Sequence, residues 1–69
     1  MKDCSIIIPT LNEEENISEM LDVLSGMYPD SEIIVADDGS SDSTQDIVIS
    51  HSNRNVVLLD RSKEDVKGL

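Results

Sequence analysis

Three short apolar runs, separated by stretches of a different period, constrain the fold of this chain more than any other feature. CSIIIP (residues 4–9), SEIIVAD (31–37) and NVVLLD (55–60) are rich in β-branched residues and have the length of buried strands. Between the first two runs, Ile17, Met20, Leu21 and Leu24 stand at i, i+3, i+4 and i+7, which predicts an amphipathic helix. Between the last two, Thr44, Ile47, Val48 and His51 repeat at helical spacing, although three successive β-branched residues weaken that helix. Local signals punctuate these segments. Pro9 is expected to stop the first strand, Asn12 with Glu15 forms a capping pair, and Glu13 to Glu15 suit the positive end of the helix dipole. Gly26 and the Tyr28-Pro29-Asp30 turn are expected to end the first helix. The resulting order is β-α-β-α-β, with connections too long for hairpins. The fold class is therefore α/β: a parallel sheet with helices packed over it through right-handed crossovers. Near-continuous apolar runs predict strands buried on both faces.

With 69 residues the chain holds at most one small domain. A core of this size supplies roughly 3–5 kcal/mol at most, and the usual staples are missing. Cys4 is the one cysteine, so no internal disulfide can form, and it reads as a small reduced hydrophobe at the start of a strand. The net charge of −10, with only five Lys and Arg, argues against a nucleic-acid partner, and Tyr28 as the lone aromatic removes base-stacking platforms. No stretch reads as a signal peptide or spanning helix, so a cytoplasmic chain is expected.

In open parallel sheets, ligands bind beyond the carboxyl ends of the strands. Pro9-Thr10-Leu11-Asn12-Glu13 and Asp37-Asp38-Gly39-Ser40 both fall at that edge. Adjacent residues in an extended segment point to opposite sides, so one of Asp37 and Asp38 faces the crevice while the other caps the turn. Gly39 permits positive φ, and Ser40, Ser41 and Asp42 can satisfy amides at the start of the next helix. On these residues alone, DDGSSD reads equally well as an ordinary strand-to-helix turn or as a crevice acceptor for a nucleobase N–H or ribose hydroxyl. Glu13 has the same two readings, dipole partner or ligand acceptor.

SIIIPTLNEEENISEML followed by EIIVADDGSSDST closely resembles the opening of family-2 glycosyltransferases. PTLNEEENI is most similar to the dolichol- or polyprenol-phosphate mannose synthase branch. The resemblance implies that the chain is the Rossmann-like N-terminal part of a GT-A type nucleotide-sugar-binding domain, truncated and inactive by itself. It implies nucleoside contacts at Pro9, Leu11, Glu13, Val35 and Asp37, with Glu13 and Asp37 as acceptors and the others as apolar walls. Relatives often carry Tyr at position 11, and Leu11 keeps the apolar contact while losing a ring. On this reading Asp37→Asn should weaken nucleotide binding more than Asp38→Asn or Asp42→Asn.

For the full-length enzyme, the resemblance implies a GDP- or UDP-sugar donor, mannose as the branch's sugar, and a lipid-phosphate or other acceptor at the membrane periphery. It also implies Mg²⁺ or Mn²⁺ on the diphosphate, held by an Asp-x-Asp motif. No Asp-x-Asp occurs in this sequence, so neither a metal ligand nor a catalytic residue is assigned. Arg61 with Gly68 and Leu69 resembles the start of the family's Gly-rich segment.

Two rival classes remain in view. A phospho-acceptor receiver domain also carries an acidic pair, but on its first strand, whereas here the pair closes the second. A non-catalytic interaction module derived from a degenerate transferase would keep the fold and lose the metal site, and uncovered sheet edges could pair with another copy. His51 is expected to sit near the end of the second helix, partly exposed and interacting with its dipole. The tail bearing Arg61, Lys63 and Lys67 is expected to be disordered.

Overall fold

The structure, a computed structural model, describes residues 4–63. Its order is β1 (Ser5–Thr10), α1 (Ile17–Met27), β2 (Glu32–Asp37), α2 (Thr44–Ile49), β3 (Val56–Asp60) and a 3₁₀ turn at Arg61–Lys63. The strands form one parallel sheet in the order β1-β2-β3, with Ile6 opposite Ile33 and Ile33 opposite Val56. Two right-handed crossovers running the same way across a sheet place both helices on one face. Their buried residues meet there: Ile17 and Leu21 from α1 and Val48 from α2 close over Ile33 and Val35 of β2. Ile6, Ile8, Met20, Leu24, Ile47, Val56 and Leu58 pack around that cluster. Each such side chain contributes about 1.5–3 kcal/mol on full burial, so this single layer carries most of the apolar stabilisation.

The other face is different. The outer strands alternate in burial rather than being covered on both sides, as the apolar runs had predicted. Ile7 is 65% exposed, and Val57 and Leu59 are 42% and 40% exposed. The continuous apolar composition hides this, because both faces of β1 and β3 are apolar while the described helices cover only one.

Three local expectations change. Pro9 does not stop β1; it pairs with Ala36 inside the strand, and Thr10 extends the ladder. An outer strand tolerates one missing N–H. Asn12 and Glu15 do not cap α1. The helix begins after Asn16, which makes no side-chain cap bond, and the Glu13 carbonyl instead accepts from the amides of Asn16 (3.0 Å) and Ile17 (2.9 Å). Gly26 lies within the last turn of α1, and the end falls at Tyr28, whose amide donates to the Leu24 carbonyl at 2.9 Å. Cys4 is exposed just before β1. Of the tail expected to be disordered, Arg61–Lys63 instead forms the 3₁₀ turn, while Lys67, Gly68 and Leu69 lie outside the described residues.

Candidate functional site

Strands β1 and β2 end level, with Thr10 opposite Asp37, and the Asp38 amide carries the ladder one step further by donating to the Thr10 carbonyl at 3.0 Å. Two loops therefore leave the sheet side by side. Alternation from Val35 turns Asp37 toward the helix-covered face, where its side chain is fully buried. Burial alone would raise its pKa. That cost is outweighed by hydrogen bonds from the Ser40 hydroxyl (2.5 Å) and amide (2.7 Å), the Thr10 hydroxyl (2.6 Å) and Gln45 Nε2 (2.8 Å), so the carboxyl is held well below the usual range. The Gly39 amide adds a further bond at 3.0 Å. Two carboxylate oxygens offer about four lone-pair sites, so Asp37 is saturated by its own protein. It caps the turn.

The turn needs Gly39 for two reasons. Its φ is +95°, and a Cβ there would come within 2.8 Å of Ser62 Cβ.

The two loops also grip one another. Asn12, at φ 55°, donates its amide to the Ser40 hydroxyl (2.8 Å) and accepts from the Ser41 amide on Oδ1 (2.8 Å). The Glu13 amide donates to Thr44 Oγ1 (2.8 Å), and the Glu14 amide donates to Asp42 Oδ2 (3.3 Å). In return Glu14 Oε1 accepts from the Ser43 amide at 2.9 Å. Asp42 Oδ1 accepts from the Thr44 amide (2.9 Å) and hydroxyl (2.5 Å), doing the capping work that Ser43 does not. Desolvation opposes the charge on Asp42, yet the Thr44 and Glu14 bonds outweigh it and hold its carboxyl below the usual range.

What faces outward is therefore a different set from the expected one. Pro9, Leu11 (54% exposed) and Asp38 are exposed, and Glu13 is half-buried. Asp38 carries an ion pair with Arg61, Nε to Oδ1 at 3.7 Å, with both side chains more than half exposed. Val35 and Asp37 are brought to the same strand end but are fully buried, so neither side chain presents surface to a ligand. The residues alone left open which of Asp37 and Asp38 faces the crevice, and the resemblance named Asp37. Of the two, Asp38 is the exposed one, as alternation from a core Val35 would place it. His51, expected to meet the helix dipole, instead joins α1: its Nε2 lies 2.8 Å from Asp22 Oδ1, and its Nδ1 accepts from the Asn53 amide at 3.1 Å.

These residues do not fit a divalent cation. Mg²⁺ and Mn²⁺ need several uncommitted oxygens. Asp37 and Asp42 are engaged by protein donors, Asp38 faces Arg61, and no cluster of three metal-ligating side chains occurs among the described residues. A shallow groove lined by Asn16, Glu19, Met20, Val23 and Leu24 runs along α1 rather than the strand ends. No described helix is long and apolar enough to cross a membrane.

A parallel α/β sheet with two interlocked loops at its carboxyl edge has the architecture in which ligands bind beyond the strand ends. The sequence places it further. The chain belongs to glycosyl transferase family 2, whose profile matches residues 5–68, and its three parallel strands are the Rossmann-like N-terminal part of a GT-A type domain. It is similar to the poly(ribitol-phosphate) beta-glucosyltransferase of Bacillus spizizenii, with 43% identity over 84% of this chain and 10% of that protein. It is 38% identical to the validoxylamine A glucosyltransferase of Streptomyces hygroscopicus, over 72% of this chain and 12% of the relative. The glycosyltransferase AglE of Haloferax volcanii is 50% identical over 62% of this chain and 15% of its own length. The chain thus spans between 10% and 15% of the length of these relatives. No solved structure matches it.

Proposed function

We propose that this chain supplies the nucleoside subsite of an enzyme that moves a sugar from a nucleoside diphosphate donor to an acceptor. The observation that carries this reading is the division of labour between two adjacent carboxylates. Asp37 is spent on holding the loop, and Asp38, its amide bonded to the Thr10 carbonyl, is left exposed at the strand end next to the one from which Pro9, Leu11 and Glu13 leave the sheet. Asp38 and Glu13 then act as acceptors for a base N–H or a ribose hydroxyl, and Pro9 and Leu11 provide apolar contact. Asp37 and Val35 support this surface from beneath. The chain's own residues bind and orient the nucleoside, and none is assigned a step in the transfer.

The finer reading, mannose passed from a GDP-sugar to a lipid phosphate at the membrane periphery, is supported by PTLNEEENI alone. Two of the relatives above are named for glucosyl transfer, so a donor panel for the parent enzyme includes UDP-glucose beside GDP-mannose.

The test is a ¹⁵N-HSQC titration with UDP and with GDP, each with and without Mn²⁺. Shifts confined to amides of residues 11–13 and 38–40, unchanged by metal, are expected. Asp38→Asn is expected to weaken binding about tenfold, the scale of one charge-assisted hydrogen bond, and Asp37→Asn less. A folded chain that ignores both nucleotides overturns this reading and favours an interaction module.

A further inference from the structure

We propose that Thr44 is a positioning residue for donor binding: its buried hydroxyl sets the course of the Glu13 loop from the far side of the sheet edge. This rests on the nucleoside-subsite reading above. Thr44 is the first residue of α2 and fully buried, an unusual place for a hydroxyl unless it is bonded. Its Oγ1 makes two bonds of opposite sense. It accepts from the Glu13 amide at 2.8 Å and donates to Asp42 Oδ1. The same carboxylate takes the Glu14 amide on its other oxygen. Thr44 and Asp42 thus capture two consecutive amides of a loop about thirty residues earlier in the chain.

The consequence falls on Glu13. Its carbonyl is already fixed by the amides of Asn16 and Ile17, which start α1. With its amide fixed by Thr44, both main-chain polar groups of Glu13 are tied, one to each helix. The main chain then gives the half-buried Glu13 side chain a single point of departure at the carboxyl edge. Removing the hydroxyl takes the protein acceptor from the part-buried Glu13 amide, and Asp42 Oδ1 keeps only the Thr44 amide, so the loop loses the bond that holds its course.

The experiment compares the wild type with Thr44→Ser, Thr44→Val and Glu13→Gln, and with the double variant Thr44→Val/Glu13→Gln. Amide hydrogen exchange is read at Glu13, and affinity is read with UDP and GDP. Thr44→Ser keeps the hydroxyl and should match wild type in both. Thr44→Val should speed exchange at Glu13 and weaken the nucleotide by about tenfold. In the double variant the two affinity losses should fall short of their product, because both act through one carboxylate. Independent, multiplying losses mark Thr44 as structural only and overturn the proposal, as does unchanged affinity in Thr44→Val. If Thr44→Val does not fold, Asp42→Asn carries the test: it removes the acceptor for the Glu14 amide and should show the same coupling to Glu13→Gln. A wild-type chain that binds neither nucleotide sinks the subsite reading itself, a different failure from binding that is indifferent to Thr44.

Discussion

The two ends of the sheet are held by different means. At the amino end, α1 is tied to the α2–β3 connection through side-chain pairs, His51 with Asp22 at 2.8 Å and Asn53 Nδ2 donating to Ser25 Oγ at 2.6 Å. Side chains there take amides only within that connection, His51 Nδ1 that of Asn53 and Asn53 Oδ1 that of Asn55. At the carboxyl end, most polar side chains spend their oxygens on main-chain amides. Asp37 takes those of Gly39 and Ser40, Asp42 those of Thr44 and Glu14, Thr44 that of Glu13, and Asn12 that of Ser41. A side-chain pair fixes how far apart two elements stand. A side chain bonded to an amide fixes the course of the chain itself. The carboxyl end is built to keep a shape, and only there does a strand-end carboxylate, Asp38, remain exposed with its main chain fixed.

Asp37→Ala breaks the comparison most severely. It leaves buried donors from Thr10, Ser40, Gly39 and Gln45 without their acceptor, at about 1–3 kcal/mol for each that cannot reach water. With only roughly 3–5 kcal/mol available to a domain of this size, the variant is expected to be largely unfolded, by circular dichroism and by loss of amide dispersion. Asp37→Asn should fold. Its oxygen can take the Gly39, Ser40 and Gln45 donors, while its NH₂ donates to the Thr10 and Ser40 hydroxyls, which also accept. A folded, stable Asp37→Ala would show that the loop does not depend on this carboxylate.

Acid sharpens the same contrast with a smaller effect. Asp37 and Asp42 are both depressed in the folded chain, below the value of about 3.9 that an unfolded Asp has. Their contribution to stability is therefore complete above about pH 4 and is lost as pH falls below it toward the folded values. The urea midpoint should drop between pH 4 and pH 2, and in Asp37→Asn the drop should be shallower. Equal slopes would mean that the charge on Asp37 is not what holds the turn. Smaller again is the effect of Asp38→Asn on stability. A more than half-exposed pair with Arg61 at 3.7 Å is worth less than about 1 kcal/mol, so this variant should separate binding from folding: a midpoint near wild type with a nucleotide affinity about tenfold lower.

The order of elements was legible because burial writes itself locally. Ile17, Met20, Leu21 and Leu24 have to share a face, and a six-residue run such as EIIVAD can hardly be anything but a strand. The pairing of strand ends followed from parallel topology. The site was half legible. Position was visible in the two polar clusters, but the grip of one loop on the other was not, because the bonds between them span 27 to 31 residues. Asn12 looks like a cap to any local rule; in the fold it serves Ser41. Asp37 reads equally well as a turn cap or a ligand acceptor, and its bond from Thr10, 27 residues away, is invisible to any local rule. The open sheet face was illegible for a related reason. Apolar residues on both sides of β1 and β3 show what could be buried, not which side the described helices cover.

The mildest perturbation is at the amino end, and it tests whether the two ends are independent. With Nδ1 of His51 accepting from Asn53, the ring proton lies on Nε2 and is donated to Asp22, which is 70% exposed. Asp22→Asn keeps an acceptor oxygen there and removes only a largely solvent-screened charge, so it should cost no more than about 0.5 kcal/mol. Exchange should rise slightly at the Asn53 amide and stay unchanged at Glu13 and Ser40. If Asp22→Asn instead loosened the amides of the carboxyl end, α1 would be transmitting strain along its length. The shape of the nucleoside edge would then belong to the whole layer rather than to its own loops. Unchanged exchange at Glu13 keeps the carboxyl edge self-contained, held by Asp37, Asp42 and Thr44 regardless of what happens at the other end of the sheet.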